Sequence, residues 1–229
     1  MSETFKRKEK KYLLDLGQYE QLLGKIRPYV NKNKFFQTDI YSLYYDTDDN
    51  KLIRRSIEKP FFKEKLRLRG YGNVDLNDMV YIELKKKYDG VVYKRRTKTR
   101  HVDALNQIGI CKYEDEQIGK EIKYFIEYYH GLHPSYFIGC NRTSYNAKED
   151  EKFRITFDKD IVYRNSRLFL GRDEQDKELT DKIVMELKGD KSMPLWLSHI
   201  LDDLKIYPSS FSKVGTAYLK ELNLKLEER

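Results

Sequence analysis

The sequence predicts an α+β fold in which antiparallel strands form a β-barrel with a polar lumen and several helices cover its outside. Stretches that alternate between apolar and charged residues outnumber those with helical periodicity, and alternation with a period of two is typical of strands. Charged residues make up 36% of the 229 residues, beside 19 Tyr and 11 Phe that can form a core. This excess of charge requires either a solvated face or a polar cavity, and a barrel can enclose a cavity.

The strands are predicted from stretches in which apolar and charged residues alternate. Lys65-Leu66-Arg67-Leu68-Arg69 is the cleanest example, and strands are predicted over residues 7–14, 40–45, 65–69, 80–85, 91–96, 137–145, 153–158 and 183–188. Helical periodicity predicts helices over residues 16–29, 116–129, 195–204 and 214–224. No linker rich in Pro, Gly or Ser divides the chain, which indicates a single domain over residues 1–229.

The charged faces of the strands allow two interpretations. Residues i and i+2 of a strand share one face, so four strands place apolar residues on one side and charges on the other. The charged side faces water in an ordinary sheet, or the lumen in a barrel. The barrel is favoured by a recurring Glu-x-Lys pattern beside Arg67 and Arg69, found at Glu9–Lys11, Glu83–Lys85 and Glu186–Lys188.

These residue types suit a metal-bound polyphosphate. Carboxylates are ligands for Mg²⁺ or Mn²⁺, and guanidinium and ammonium groups bind phosphate oxygens. The sequence contains neither G-x-x-x-x-G-K-[ST] nor G-x-G-x-x-G, so the common nucleotide-binding loops are excluded.

Charge and composition narrow the partners and the compartment. A net charge of +8 favours an anionic partner. The basic strands are interleaved with Leu rather than with aromatic residues, which argues against nucleic acid. Cys111 and Cys140 are too few for a disulfide framework. No apolar run approaches a membrane span or a signal peptide, so a cytoplasmic location is expected.

Short motifs along nearly the whole chain resemble one known family. Residues 5–12, 65–69, 83–87, 141–143, 153–155, 186–188 and 210–213 are similar, in family order, to the catalytic domain of the vacuolar transporter chaperone (VTC) polyphosphate polymerases. These belong to the triphosphate tunnel metalloenzymes, or CYTH superfamily. The resemblance implies a closed, antiparallel, eight-stranded tunnel and, without the SPX domain and membrane segments of the fungal proteins, a free-standing prokaryotic form.

The resemblance also implies roles for individual residues. Cations that would contact phosphate during catalysis are Lys11, Arg67, Arg69, Lys85, Arg142 and Lys213. Further substrate contacts would come from Arg7, Arg154, Lys188 and Ser212, although Ser212 is equally suited to cap a helix. Glu186 resembles the metal ligand, and Glu9 and Glu83 resemble acidic positions that aid metal or water binding. The chain departs from the fungal polymerases at Cys140, where they have Tyr.

The leading hypothesis is an ATP-dependent polyphosphate polymerase that uses Mn²⁺ or Mg²⁺, with ATP and inorganic polyphosphate as its partners. A membrane partner encoded separately is a further possibility. The alternatives are a triphosphatase of the same fold, in which Glu9 or Glu83 activates water, a polyphosphate-binding domain without catalysis, and a nucleic-acid-binding domain.

Overall fold

The structure is a computed structural model that describes residues 8–58, 60–89, 91–108, 111–190 and 192–227. Its contacts divide the chain into two compact units. Unit 1 comprises residues 1–39, 140–161 and 178–212, and unit 2 comprises residues 40–139, 162–177 and 213–229. The chain therefore passes repeatedly from one unit to the other, and the prediction of a single domain stays a prediction.

The secondary structure combines nine strands with six α-helices in the described residues. The strands are β1 (Lys8–Leu14), β2 (Val30–Asp46), β3 (Phe62–Tyr71), β4 (Met79–Tyr88), β5 (Val91–Arg100), β6 (His133–Ala147), β7 (Arg154–Arg164), β8 (Lys177–Glu178) and β9 (Ile183–Gly189). The helices are α1 (Leu16–Ile26), α2 (Lys51–Ile57), α3 (His101–Gln107), α4 (Glu116–Tyr129), α5 (Leu195–Asp203) and α6 (Lys213–Glu227), and a short 3₁₀ helix follows α1. This confirms the α+β class and every predicted strand and helix, while α2, α3 and the two-residue β8 were not predicted.

In unit 1, the core lies between β-strands and the helices α1 and α5. Strand β1 pairs with β9, and β9 pairs with the first half of β7, both antiparallel. The apolar alternation on these strands is buried against Leu22, Ile26 and Leu197. An Asp15 capping box begins α1, because the Asp15 carboxylate accepts from the backbone N–H of Gln18 and Gln18 Oε1 accepts from the backbone N–H of Asp15.

In unit 2, the core lies on one face of an antiparallel sheet in which residues 40–45 of β2 pair with β3, β3 pairs with β4, and β4 pairs with β5. Leu66, Leu68, Ile82 and Leu84 are fully buried there and pack with Ile122 and other apolar residues of α4. Burial alternates strictly along β3, with the even-numbered residues from 64 to 70 buried and the odd-numbered residues from 63 to 69 half-buried. The charged face of β3 is therefore partly shielded from water rather than fully solvated.

The hydrogen-bonded order of the strands is β1-β9-β7-β6-β2-β3-β4-β5, and β8 pairs with β7. Eight strands thus form the continuous path that the sequence analysis expected. Among the described residues the path ends at β1 and β5. Strand pairing therefore does not close the sheet there, although a closed barrel was predicted. Strand β5 carries five cations, Lys94, Arg95, Arg96, Lys98 and Arg100, and positive charge along a strand opposes the addition of another strand.

Candidate functional site

In unit 2, the charged face of β3, β4 and β5 is a continuous array of cations. The ladder places Arg67 beside Glu83 and Glu83 beside Arg96, and in the next row Lys65 lies beside Lys85 and Lys85 beside Lys94. The flanking rows pair Lys63 with Lys87, and Arg69 with Tyr81 and Lys98. Because residues two apart share a face, these four rows form one surface.

The centre of this surface is a buried carboxylate surrounded by four cations. The Glu83 side chain is 1% exposed, and its Oε2 lies 2.7 Å from Arg67 Nε and 2.5 Å from Arg67 Nη2. Arg69 Nε is 3.8 Å from the same oxygen. On Oε1, Lys94 Nζ is 2.6 Å away and Arg96 Nε is 3.4 Å away. These five residues, called the Glu83 cluster below, combine four positive charges with one negative charge.

The excess positive charge changes the ionisation of the groups around it. Burial by itself raises the pKa of Tyr44, but Arg67, Arg69 and Lys65 more than offset this and lower the pKa to about 8. Arg67 Nη1 donates to the Tyr44 hydroxyl at 2.9 Å. Burial lowers the pKa of Lys94 to about 8, with repulsion from the two arginines adding to burial and Glu83 opposing it. The lowered pKa of Tyr44 is the shift expected beside an excess of positive charge, whereas that of Lys94 follows mainly from burial.

In unit 1, a second group of charges is centred on Glu186. Its carboxylate lies 3.6 Å from Lys11 Nζ, 3.7 Å from Arg142 Nη2 and 2.6 Å from Lys188 Nζ. Lys11 Nζ also lies 3.7 Å from Glu9 Oε1 and donates to the Phe211 carbonyl at 3.0 Å. The Glu186 cluster, meaning Glu186, Glu9, Lys11, Arg142 and Lys188 with Asp158, has equal numbers of acidic and basic groups.

Arg142 is held by a carboxylate that the sequence analysis did not select. Asp158 is fully buried and accepts from Arg142 Nε at 2.5 Å and from Arg142 Nη2 at 2.7 Å. Burial disfavours the charged guanidinium, but Asp158 and then Glu186 raise the pKa of Arg142 well above its usual value. A bidentate pair of this kind fixes the plane of the guanidinium group.

The predicted site residues fall into three groups. Arg67, Arg69 and Glu83 meet in unit 2, where Lys85 lies on the same face, and Lys11, Glu9, Arg142, Glu186 and Lys188 meet in unit 1. Arg154 is exposed at the start of β7, opposite Lys188, while Ser212 directly precedes α6 and Lys213 begins it. Arg7 lies outside the described residues.

The metal ligands expected from the sequence are not assembled as one set. The described residues contain no group of three or more His, Cys, Asp or Glu side chains placed to hold a metal ion. Glu83 belongs to unit 2, where cations surround both of its oxygens. Glu9 and Glu186 both lie close to the Lys11 ammonium, so this pair already shares one cation. Two carboxylates fit Mg²⁺ or Mn²⁺ when phosphate oxygens and water supply the remaining ligands.

Four residues in or beside these clusters were not among the predicted site residues: Tyr44, Lys94, Arg96 and Asp158. Lys94 and Arg96 share a face of β5 by their spacing of two, so the alternation could have revealed them. Asp158 likewise shares the charged face of its strand with Arg154 by alternation, but its pairing with Arg142 was not predicted. Tyr44 gave no comparable signal, because it is recognised only by its contact with Arg67 of a neighbouring strand.

Comparison with known proteins places the chain in a family. The model of the VTC domain matches residues 6–221. The chain belongs to the VTC domain family. This match spans both clusters and confirms the family that the motifs had indicated. A comparison with curated proteins found no match.

Several solved structures are similar to this chain at low sequence identity. A candidate adenylate cyclase from Bacillus halodurans is 13% identical, has a TM-score of 0.55, and is matched over 90% of this chain and 95% of its own. A candidate adenylate cyclase from Vibrio parahaemolyticus is 12% identical with a TM-score of 0.48, over 94% and 99% of the two chains. A candidate adenylyl cyclase from Hippeastrum, described as having a dominant triphosphatase activity, is 15% identical with a TM-score of 0.44, over 90% and 92%. The first of these supports the tunnel-type fold for this VTC domain.

Of the helices that the structure describes, none combines the length and the apolar character needed to cross a membrane.

Proposed function

We propose that this VTC domain is an ATP-dependent polyphosphate polymerase. The terminal oxygen of a growing polyphosphate attacks the γ-phosphorus of ATP, the bond from that phosphorus to the β,γ-bridging oxygen breaks, and ADP leaves. Phosphoryl transfer of this kind depends on positioning and on stabilising charge, and it requires no covalent nucleophile from the protein. The observation that carries the proposal is the four-row cationic face of β3, β4 and β5.

The charge of this face supports a polyanionic substrate. In the Glu83 cluster four cations share one carboxylate, which leaves three positive charges for a ligand to balance. Arg67 and Arg69 are only 22% and 11% exposed, so their interaction with phosphate is screened less than it would be on an open surface. Guanidinium groups in such a setting bind phosphate oxygens with directed hydrogen bonds.

The length of the face favours a polyphosphate over a lone triphosphate. Its rows extend from Lys63 to Arg69 along β3, which is roughly 20 Å at about 3.3 Å per residue. The outermost row contains Lys63 with Lys87, and it lies beyond the rows of Lys85, Arg67 and Arg69, to which the family resemblance assigns phosphate contacts. A second stretch of cations of this kind suits a longer chain of phosphates.

In unit 1, Glu186 and Glu9 would hold the divalent cation. When bound, Mn²⁺ or Mg²⁺ neutralises developing charge on phosphate oxygens. Lys11, Arg142 and Lys188 place three further positive charges around these carboxylates. Asp158 accepts two hydrogen bonds from Arg142. The guanidinium group of Arg142 is therefore already oriented and does not need to reorganise when an anion binds.

A triphosphatase is the second candidate, and the position of Glu9 favours it. The Glu9 side chain is 25% exposed, whereas Glu186 is 8% exposed. A carboxylate that water can reach is able to act as a general base. In that reaction water replaces the polyphosphate chain as the nucleophile, and inorganic phosphate is the product.

The test is to incubate the purified chain with ATP and Mn²⁺ and to measure ADP, free phosphate and polymer length together. The polymerase predicts ADP with matching incorporation of phosphate into polymer. ADP with an equal amount of free phosphate would favour the triphosphatase, and tight polyphosphate binding without ADP would favour a binding domain. Lys123→Ala is the matched control, because Lys123 is exposed on α4 and pairs with Glu127.

A binding experiment separates the substrates. Replacing Lys63 and Lys87 together by Ala should weaken binding of long polyphosphate and leave tripolyphosphate binding unchanged. An equal loss for both ligands would contradict the assignment of the row of Lys63 and Lys87 to a longer chain.

A further inference from the structure

We propose that Glu83 is a positioning residue that holds Arg67, Arg69, Lys94 and Arg96 in a fixed arrangement for phosphate, and that it neither binds the metal nor acts as the base. The inference rests on the proposed function of this face, and it assigns a different role from the one that the sequence predicted. Glu83 acts through the cations, which would themselves contact the substrate.

The contacts of Glu83 leave little room for another role. Arg67 occupies Oε2 with two nitrogens at 2.7 and 2.5 Å, and Lys94 lies 2.6 Å from Oε1. With its side chain 1% exposed, the carboxylate is covered by the groups that it pairs with. A metal ligand must present an oxygen to the ion, and here both oxygens already face cations.

The surrounding charges also argue against a base. Burial raises the pKa of Glu83, but Arg67, Arg69 and Lys94 outweigh burial and lower the pKa well below its usual value. A carboxylate that holds protons so weakly accepts one poorly from water near neutral pH. Glu9 in unit 1, with a more exposed side chain, is better suited to that step.

The positioning role follows from the repulsion between the four cations. Without a shared anion, four long side chains on β3 and β5, the two strands that flank β4, would separate and turn towards solvent. Glu83 draws them to one point, and Arg67 is fixed further by its hydrogen bond to Tyr44. Cations held in place before the substrate arrives stabilise the transition state more than mobile ones do.

The test compares Glu83→Gln with Glu64→Gln. Glu64 is also a buried carboxylate of β3, but it lies on the opposite face, where it pairs with Lys86 and accepts from Tyr129. For Glu83→Gln we expect kcat for ATP to fall by 10-fold or more, within the range that positioned electrostatic groups contribute. The Mn²⁺ concentration at half-maximal activity should stay within twofold of wild type. Glu64→Gln should leave kcat unchanged.

Tripolyphosphate binding provides a readout that a purely structural role would not move. Removing the negative charge leaves four unbalanced cations, so tripolyphosphate should raise the melting temperature of Glu83→Gln by more than it raises that of wild type. If the Glu83→Gln variant does not fold, Glu83→Asp serves in its place. It keeps the negative charge on a shorter side chain and should show the same fall in kcat. A tenfold increase in the Mn²⁺ requirement, or an unchanged kcat, would overturn the proposal.

The titration of Tyr44 keeps this test separate from the proposed function. Loss of Glu83 frees Arg67 and Arg69, whose charges lower the pKa of Tyr44, so the phenol absorbance transition of Tyr44 should move to higher pH, and Glu64→Gln should not move it. This measurement needs no turnover, so it tests the arrangement even if wild type makes no polyphosphate. If wild type turns over no ATP but Glu83→Gln moves the Tyr44 transition to higher pH, the polymerase alone is refuted. A Tyr44 transition that stays in place or moves to lower pH would refute the arrangement around Glu83.

Discussion

Replacement of Arg67 by Met is the perturbation that tests the cationic face most directly. Met resembles the aliphatic part of Arg in length but carries no charge and no donor. In wild type the Arg67 side chain is 22% exposed, bonds Glu83 through Nε and Nη2, and donates to Tyr44 through Nη1. The variant therefore removes one of the four cations of the Glu83 cluster and leaves three that still pair with the carboxylate.

The expected magnitude follows from the bonds that Arg67 can make to phosphate. A hydrogen bond to a charged group contributes about 1.5–3 kcal/mol, which corresponds to a loss of roughly 10- to 150-fold in affinity for each such bond. We expect tripolyphosphate to bind Arg67→Met at least about tenfold more weakly than wild type. The fold should persist, because Glu83 keeps Lys94 at 2.6 Å and Arg96 at 3.4 Å.

Isothermal titration calorimetry at low and at physiological salt measures this loss, with Lys123→Met as the control on an exposed helix position. The optical titration of Tyr44 adds an independent check. Arg67 is the largest of the charges that lower the pKa of this phenol, so the variant should raise that pKa. Tripolyphosphate affinity within twofold of wild type at low salt would refute the assignment of this face to phosphate.

Three further predictions concern pH, stability and the metal. Polyphosphate affinity should fall between pH 7 and pH 9, because Lys94 loses its charge and Tyr44 gains one, each with a pKa of about 8; calorimetry across this range measures it. Asp158→Asn should lower the free energy of unfolding by about 3–5 kcal/mol, as expected when a buried ion pair loses one partner, because Arg142 then keeps its charge without its bidentate acceptor; urea unfolding measures this. Glu186→Gln should raise the Mn²⁺ concentration needed for half-maximal activity by tenfold or more, because replacing even an outer-shell partner of a bound metal costs about 10- to 100-fold in affinity.

Each of these has a defined contrary result. Lys94→Arg keeps its charge throughout, so a pH dependence as steep as that of wild type would exclude Lys94 as its source. An Asp158→Asn protein as stable as wild type would show that Arg142 finds another acceptor. A Glu186→Gln enzyme with an unchanged Mn²⁺ requirement would remove Glu186 from the proposed metal site.

Alternation predicted much of the architecture because the period of a strand decides which side chains share a face. Leu66 and Leu68 are fully buried and Arg67 and Arg69 lie on the other face, as their positions in the sequence indicated. Helical periodicity located α1, α4, α5 and α6. Short helices such as α2, with one narrow apolar side over seven residues, gave too little periodicity to be recognised.

The sequence by itself determined the residue types of the site: the paired arginines of β3, the Glu-x-Lys repeats, and the family to which the chain belongs. Only the tertiary structure decided which carboxylate contacts which cation. It places Glu83 among Arg67, Arg69, Lys94 and Arg96, and it places Glu186 with Lys11, Arg142 and Lys188. The physical reason is that a period of two fixes the side of a strand locally, whereas partners across a ladder depend on the register between strands distant in sequence.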